Sequence, residues 1–124
     1  ELAATLNLGD SVQILPAVPH EQLKEFQTRA SLALAPALTE FNPNFALEAL
    51  ARGTPVLISR GNGLTVQLPK ECLFDPTNEE EFFERWNALI DPVMYTKIAQ
   101  EIVASIPHHT WTEVEAAHAA LLGL

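Results

Sequence analysis

Two glutamates in the first half of the chain, Glu40 and Glu48, combine a residue type and a spacing that could bind a polar ligand. An ionised carboxylate only accepts hydrogen bonds, so the pair is suited to holding hydroxyl groups. The same Glu-x7-Glu spacing recurs at Glu71 and Glu79, which fall on a predicted loop and a helix start. Spacing alone therefore also allows that Glu40 is a solvated loop acid and Glu48 an ordinary helix residue.

The residues around the first pair predict a strand, a loop, a short helix and a second strand. An apolar run at residues 32–35 is followed by a polar loop at residues 39–44, and another apolar run occupies residues 56–58. Two strands joined by a helix form a parallel unit, and such sheets bind ligands at the carboxyl ends of their strands. The loop that carries Glu40 lies at that edge and is the predicted site.

The two ends of the predicted helix have their own signals. Asn42 is suited to cap the first free N–H groups, and Pro43 suits the first helical position. Gly53 suits the left-handed position just past the end, and Pro55 prevents the helix from resuming. The helix is therefore confined between the loop and the second strand.

A turn built from Gly61, Asn62 and Gly63 follows the second strand. Glycine permits tight or positive-φ backbone, which can bring N–H groups close to a ligand. The same three residues are equally compatible with a simple connecting turn.

The composition bounds the class of protein. A chain of 124 residues with 48% hydrophobic and 19% charged residues predicts one globular domain over residues 1–124. A net charge of −9 argues against nucleic acid, which needs a clustered basic face. The single cysteine, Cys72, cannot form an internal disulfide and favours an intracellular setting. No apolar run reaches the roughly 20 residues of a membrane span.

The chain before the central unit predicts a helix tail, a strand and a helix. Residues 2–8 are typical of helix turns that end at Gly9, which suggests a piece of a longer chain, and residues 12–15 are typical of a strand. The helix begins at His20, which we expect to be a solvated residue. One side of this helix is apolar and is formed by three residues. These are Leu23, Phe26 and Ala30.

The chain after the glycine turn predicts a last strand at "CLFDP" and three helices. Asn78 caps the first, whose acidic first turn suits the helix dipole and whose apolar stripe has helical spacing. That stripe is Phe82, Phe83, Trp86, Leu89 and Ile90. Asp91 begins the second helix, and a capping box from Thr110 to Glu113 begins the third. His108 and His109 lack a third ligand at metal spacing, so solvation is the expectation.

The context of the first glutamate pair resembles the family 4 glycosyltransferases. The strand ends at Pro36, Glu40 lies in the loop, Glu48 lies one turn into the helix, and "EALARGTPVLIS" follows. The order of "CLFDP", two helices and a Trp opening the last helix extends the resemblance over nearly the whole chain. It implies a three-layer Rossmann-like α/β sandwich with a mostly parallel sheet of about four strands, as part of the C-terminal donor-binding domain of the glycosyltransferase B architecture.

The resemblance also implies roles for individual residues. Glu40 would contact the sugar of a nucleotide-sugar donor, and Glu48 would hold the ribose of its nucleotide. The backbone of Asn44 and Phe45, after Asn42 in the same loop, would lie near phosphate or sugar. The turn of Gly61, Asn62 and Gly63 would line the donor pocket. The family retains anomeric configuration and needs no metal, which implies a transferase with no cofactor beyond its donor. The cytoplasmic location that we expect follows from the single cysteine, Cys72, which favours an intracellular setting.

Two departures from the family pattern leave a second interpretation open. The loop is "EFNPN" where the family has Glu-Gly-Phe-Gly, and Pro43 has no N–H to donate. The basic residues that clamp the diphosphate lie upstream in the family, and Arg60 is only a weak substitute, while Arg52 is expected on the surface. A degenerate, non-catalytic module for protein contact is therefore the alternative, and a receiver-like α/β domain has no residue-level support.

The resemblance places the acceptor on a separate N-terminal domain, so we expect this chain alone to be inactive. A location at the inner face of a membrane would come from parts outside this sequence. A truncated sheet would expose an unpaired edge or an apolar face, so self-association is expected. The donor base, the sugar and the acceptor are not predicted.

Overall fold

The computed structural model describes residues 2–64, 68–105 and 110–123. Its sheet contains three parallel strands in the order β1 (Ala33–Ala35), β2 (Val56–Ser59) and β3 (Leu73–Phe74). The α-helices of the described residues are α1 (Leu2–Thr5), α2 (His20–Arg29), α3 (Asn44–Leu50), α4 (Glu79–Ile90), α5 (Pro92–Ser105) and α6 (Trp111–Leu122). Short 3-10 turns occupy Gly9–Ser11 and Lys70–Cys72.

The central strand β2 is covered on both of its faces. Each of its four residues is at most 1% exposed, and successive side chains of a strand point to opposite faces. Helix α3 packs against β1 and β2, helix α4 packs against β2 and β3, and α5 packs against α4. The α/β class with a parallel sheet and flanking helices is therefore confirmed.

Local signals place most of the element ends where the sequence predicts them. Gly53 has a φ of 77° just beyond α3, in the left-handed region that glycine adopts at no steric cost. The side chains of Asn78 and Asp91 accept hydrogen bonds from N–H groups in the first turns of α4 and α5. Thr110 and Glu113 form the predicted capping box of α6. These ends orient α3 and α4 against the sheet.

The strand predicted at residues 12–15 is wrong. This segment has no regular structure, and Ile14 is 82% exposed. An extended segment becomes a strand only when its backbone pairs with a neighbour, and this one pairs with none of the described strands. The sheet of the described residues therefore has three strands rather than about four. The helix tail is also shorter than predicted, because α1 ends at Thr5 and not at Gly9.

The apolar stripe of α4 is narrower than predicted. In α4, Leu89 is buried and Phe82 and Trp86 pack against the core, whereas Phe83 and Ile90 are more than half exposed. Adjacent helical residues lie about 100° apart, so a narrow stripe cannot bury both members of an apolar pair.

The buried residue of α2 is Gln27, at 3% exposure, and not Phe26. Its side-chain amide donates to the Phe45 carbonyl oxygen at 3.4 Å, and its backbone carbonyl oxygen accepts from Thr54 Oγ1 at 2.8 Å. The predictions for His108 and His109 lie outside the described residues. Within the described part of the chain, no helix has the length and hydropathy that crossing a membrane requires.

Candidate functional site

The loop after β1 and the turn after β2 lie side by side at the carboxyl edge of the sheet. Glu40 and Asn62 pair through their backbones as an isolated parallel bridge. The hydroxyl of Ser59, the last residue of β2, donates to the Ala37 carbonyl oxygen. A Cβ atom at Gly63 would overlap the Phe41 carbonyl oxygen, so this close approach requires glycine. Backbone packing thus joins the two segments that the sequence predicts to form the site.

Two open clefts meet at Glu40. The first, which we call the loop cleft, has a volume of about 520 Å³ and is lined by residues 35–37, Glu40 and residues 42–45. The second, which we call the glycine cleft, has a volume of about 470 Å³ and is lined by residues 39–41 and 61–63. Every predicted site residue except Glu48 lines one of them, and Glu40 lines both. The structure therefore brings seven of the eight predicted residues together.

Glu48 lies outside both clefts without being turned to solvent. Its side chain belongs to a half-buried residue, and its Oε2 atom is buried with no hydrogen-bond partner in the described part of the chain. A buried carboxylate oxygen without a donor costs free energy. Because a carboxylate can only accept, a hydroxyl or N–H from a bound molecule would satisfy this atom.

The loop between Glu40 and α3 is closed by its own hydrogen bonds. The Asn44 N–H donates to the Asn42 carbonyl oxygen at 2.8 Å, and the Asn42 side-chain amide donates to Asn44 Oδ1 at 3.0 Å. Pro43 is the residue before the first helical position, and no side chain caps α3. The predicted cap from Asn42 is therefore wrong, because its side chain bonds to Asn44 instead.

The glycine turn, defined as residues 61–63, combines backbone freedom with a fixed centre. Gly61 has a φ of 85°, in the left-handed region. Asn62 is only 8% exposed: its amide donates to the Ser59 carbonyl oxygen, and its Oδ1 accepts from the Leu64 N–H at 2.7 Å. The Asn62 side chain thus fixes the turn through hydrogen bonds to the residues on either side of it.

Arg60, the candidate substitute for a diphosphate clamp, is held by Glu81. Its Nη1 lies 2.8 Å from Glu81 Oε2, and its Nη2 bonds to Glu81 Oε1. The hydrogen bond from Arg60, followed by one from the Asp75 N–H, lowers the pKa of Glu81 to about 2, and the same contact raises the pKa of Arg60. Arg52, expected on the surface, is half-buried and donates to the Glu48 carbonyl oxygen.

Sequence reasoning did not single out Phe41 or Glu81. Phe41 is 94% exposed and lines the glycine cleft; the available signal was a large aromatic residue in a polar loop beside Glu40. Glu81 is one of three first-turn acids of α4, and only the fold distinguishes it from its neighbours. Within the described residues, no group of three or more His, Cys, Asp or Glu side chains is placed to hold a metal ion.

Comparison with known proteins assigns the family. Residues 1–100 match the model of the glycosyl transferases group 1. The chain is 30% identical over 113 residues to a D-inositol 3-phosphate glycosyltransferase from Acidothermus cellulolyticus, covering 89% of this chain and 25% of the relative. It is 28% identical over 117 residues to D-inositol 3-phosphate glycosyltransferase 1 from Catenulispora acidiphila, covering 91% of this chain and 28% of the relative.

A solved structure supports the same architecture. Sucrose-phosphate synthase from Thermosynechococcus elongatus superposes with a TM-score of 0.74 at 24% identity, over 98% of this chain and 32% of that one. The chain spans about a quarter of the length of the two relatives named above. Because the family model covers residues 1–100 and the fold agrees, the chain belongs to the group 1 glycosyltransferases.

Proposed function

We propose that this chain binds the nucleotide-sugar donor of a retaining, metal-independent glycosyltransferase whose acceptor is held by a separate N-terminal domain. The observation that carries the proposal is Glu40, placed where two clefts meet at the carboxyl edge of a parallel sheet. Family membership supports the class of reaction, and the names of the two inositol-phosphate relatives support transfer of a sugar.

The chemistry of transfer suits the residues at the two clefts. The bond between the anomeric carbon and the diphosphate oxygen breaks, and an acceptor hydroxyl oxygen bonds to that carbon and gives its proton to the leaving diphosphate. In the transition state positive charge develops on the sugar and negative charge on the phosphate. The exposed Glu40 carboxylate can accept hydrogen bonds from sugar hydroxyls. Its negative charge also stabilises the positive charge that develops on the sugar. The glycine turn lines the glycine cleft together with Glu40.

Glu48 supports the nucleotide part of the proposal. Its buried Oε2 lacks a donor in the described part of the chain, and the ribose of a nucleotide offers hydroxyl donors of the required kind. Because Glu48 does not line either cleft, binding has to shift its side chain or open the loop. Release of the Asn44 N–H from Asn42 would be part of that opening. The intracellular setting and the location at a membrane face remain predictions.

The test is a titration of the chain by ¹H–¹⁵N NMR with nucleoside diphosphates and nucleotide-sugars that differ in base and sugar. We expect saturable shifts confined to residues 40–45 and 61–63. Glu48→Ala should reduce the affinity about tenfold or more, the scale for truncating one partner of a charge-assisted hydrogen bond. The matched control is Glu79→Ala, because Glu79 is an exposed helix-start acid of the other Glu-x7-Glu pair.

Absence of saturable shifts with every nucleotide up to about 10 mM, an affinity below any functional range, would contradict the proposal. Equal losses in Glu48→Ala and Glu79→Ala would contradict the role of Glu48. Unchanged shifts in the presence of EDTA are expected for a metal-independent site. In the longer protein, retention is checked by the anomeric configuration of the product.

A second candidate function has a specific observation in its favour. Asn42 and Asn44 bond to each other across the loop, and Glu48 is kept out of the loop cleft. Both features fit a degenerate domain of this fold that serves protein contact and binds no donor. The titration separates the two candidates, because the degenerate domain predicts no nucleotide response in either the wild type or the Glu48→Ala variant.

A further inference from the structure

The ion pair between Arg60 and Glu81 connects the end of β2 to the start of α4. The two terminal guanidinium nitrogens of Arg60, Nη1 and Nη2, donate to the two carboxylate oxygens of Glu81, Nη1 at 2.8 Å. Such bidentate pairs are geometrically specific as well as strong. The Glu81 side chain is 14% exposed and the Arg60 side chain 44% exposed, so the carboxylate is the sheltered member of the pair.

Glu81 is also held by contacts other than the one with Arg60. Its Oε2 also accepts from the Asp75 N–H at 2.9 Å, and Arg85, one helical turn further on, lies 3.5 Å from Oε1. Helix α4 begins at a side-chain cap from Asn78 and packs against β2 and β3. Arg60 is therefore held by a group on a packed element of the core.

Arg60 directly precedes the glycine turn. Its N–H donates to the Phe74 carbonyl oxygen at 2.7 Å, which continues the pairing of β2 with β3. The next residue, Gly61, has a positive φ and little conformational restraint of its own. The turn then reaches Asn62, whose backbone pairs with Glu40. Glu81 on α4 is thus connected to Glu40, the proposed sugar-binding residue, through Arg60 and the glycine turn.

We propose that Glu81 is a positioning residue, whose ion pair with Arg60 holds the glycine turn in the orientation that donor binding needs. This inference rests on the proposed function. Glu81 lines neither cleft, so it acts only through the turn. The alternative is a purely structural ion pair, which joins the sheet to the helix and stabilises the fold without affecting the donor site.

The first arm of the test uses the chain without ligand. Hydrogen exchange of the Leu64 amide, which bonds to Asn62 within the turn, reports on the order of this segment. In Glu81→Gln, Leu64 should exchange at least about threefold faster while the amides of β2 keep their protection. Glu80→Gln is the matched control, since Glu80 lies in the same helical turn and is exposed.

The second arm measures affinity for the nucleotide that binds the wild type most tightly. Glu81→Gln should weaken binding about fivefold, within the range for residues that act on a site without touching its ligand. In a double-mutant cycle, Glu81→Gln should have no further effect once Arg60→Met is present. Both roles lower the free energy of unfolding of Glu81→Gln, but a purely structural ion pair would leave the affinity unchanged.

The outcomes separate this inference from the proposed function. Unchanged affinity in Glu81→Gln, additive effects in the cycle, or unchanged exchange of Leu64 would each overturn it. If the wild type binds no nucleotide, the proposed function fails and the role in donor binding fails with it. In that case the exchange of Leu64 still shows whether the ion pair orders the turn.

Discussion

Gly61 and Gly63 flank the same asparagine, yet they need to be glycine for different reasons. Gly61 has a positive φ with open space where a Cβ would lie, whereas a Cβ at Gly63 would overlap the Phe41 carbonyl oxygen. Gly61→Ala should cost about 1–2 kcal/mol of backbone strain. Gly63→Ala should cost about 1–3 kcal/mol and displace the Glu40 loop, because the obstacle is backbone.

Urea unfolding and the backbone NMR shifts of Glu40 and Phe41 check this difference. We expect shift changes at both residues in Gly63→Ala and far smaller ones in Gly61→Ala. Equal shifts in the two variants would show that the loop and the turn are not in contact as described.

Cys72 is a buried thiol that we expect to be chemically inert in the folded chain. Burial raises its pKa from 9.0 to about 12, so the neutral thiol is favoured over the reactive thiolate. Labelling by an aromatic disulfide reagent at pH 8 should be at least about 100-fold slower in buffer than in urea, because it requires opening of the core. Rapid labelling in buffer would contradict the burial of this residue.

The raised pKa of Cys72 also determines how the contribution of this thiol to the free energy of unfolding changes with pH. A raised pKa means that the contribution of the buried thiol to stability is complete below pH 9.0 and is lost as the pH rises towards about 12. The free energy of unfolding of Cys72→Ala should therefore change less between pH 8 and pH 11 than that of the wild type.

The junction between β2 and α4 should respond to acid through Glu81. Its folded pKa is depressed to about 2, first by the hydrogen bond from Arg60. The stabilisation is therefore fully present above the ordinary pKa of 4.5 and is lost as the pH falls from 4.5 towards about 2. The free energy of unfolding of the wild type should exceed that of Glu81→Gln at pH 7, and the difference should shrink below pH 4.5. A difference independent of pH would contradict the ion pair.

Two capped helices should respond differently to loss of the cap. Asn78→Ala removes the cap of α4 and should lower the free energy of unfolding by about 1 kcal/mol, because α4 contributes the fully buried Leu89 to the core. Thr110→Ala removes half of the capping box of α6. Leu121 and Leu122 at the far end of that helix are 84% and 74% exposed, so α6 should fray with little effect on global stability.

Far-UV circular dichroism and urea unfolding distinguish the two cases. Thr110→Ala should lose helical signal before the main transition and keep its midpoint, whereas Asn78→Ala should shift the midpoint itself. Equal shifts of the midpoint would mean that α6 belongs to the same cooperative unit as α4.

Elements that carry their own end signals could be predicted from the sequence, and elements that depend on a partner could not. Gly53 and Asn78 announce helix ends locally, and the loop with Glu40 follows from the strand before it. The exposed segment at residues 12–15 has the composition of a strand but no pairing partner. Gln27 occupies a buried position although its side chain is polar, so the hydrophobic pattern does not reveal it. The direction of the Glu48 side chain depends on packing, which the spacing of the two glutamates does not specify.

At the scale of the whole molecule, strong charge coexists with exposed apolar side chains. The chain carries a net charge of −9 and has a calculated isoelectric point near 4.7. Its most exposed large apolar residues occur at several places on the surface. Examples are Ile14 at 82%, Phe41 at 94%, Val93 at 80% and Leu121 at 84% exposure. Repulsion between copies therefore opposes association through these surfaces.

The balance between charge repulsion and apolar attraction predicts how association of the chain depends on salt and pH. The screening length is about 30 Å at 0.01 M and about 3 Å at 1 M ionic strength, so added salt weakens the repulsion and leaves the apolar attraction. Sedimentation velocity should show monomers at pH 8 in low salt, and larger species at high salt or near pH 5. Phe41→Ser and Leu121→Ser, tested separately, identify which surface associates. Oligomers that dissociate when salt is added would mean that ion pairs join the copies, and the apolar account would be wrong.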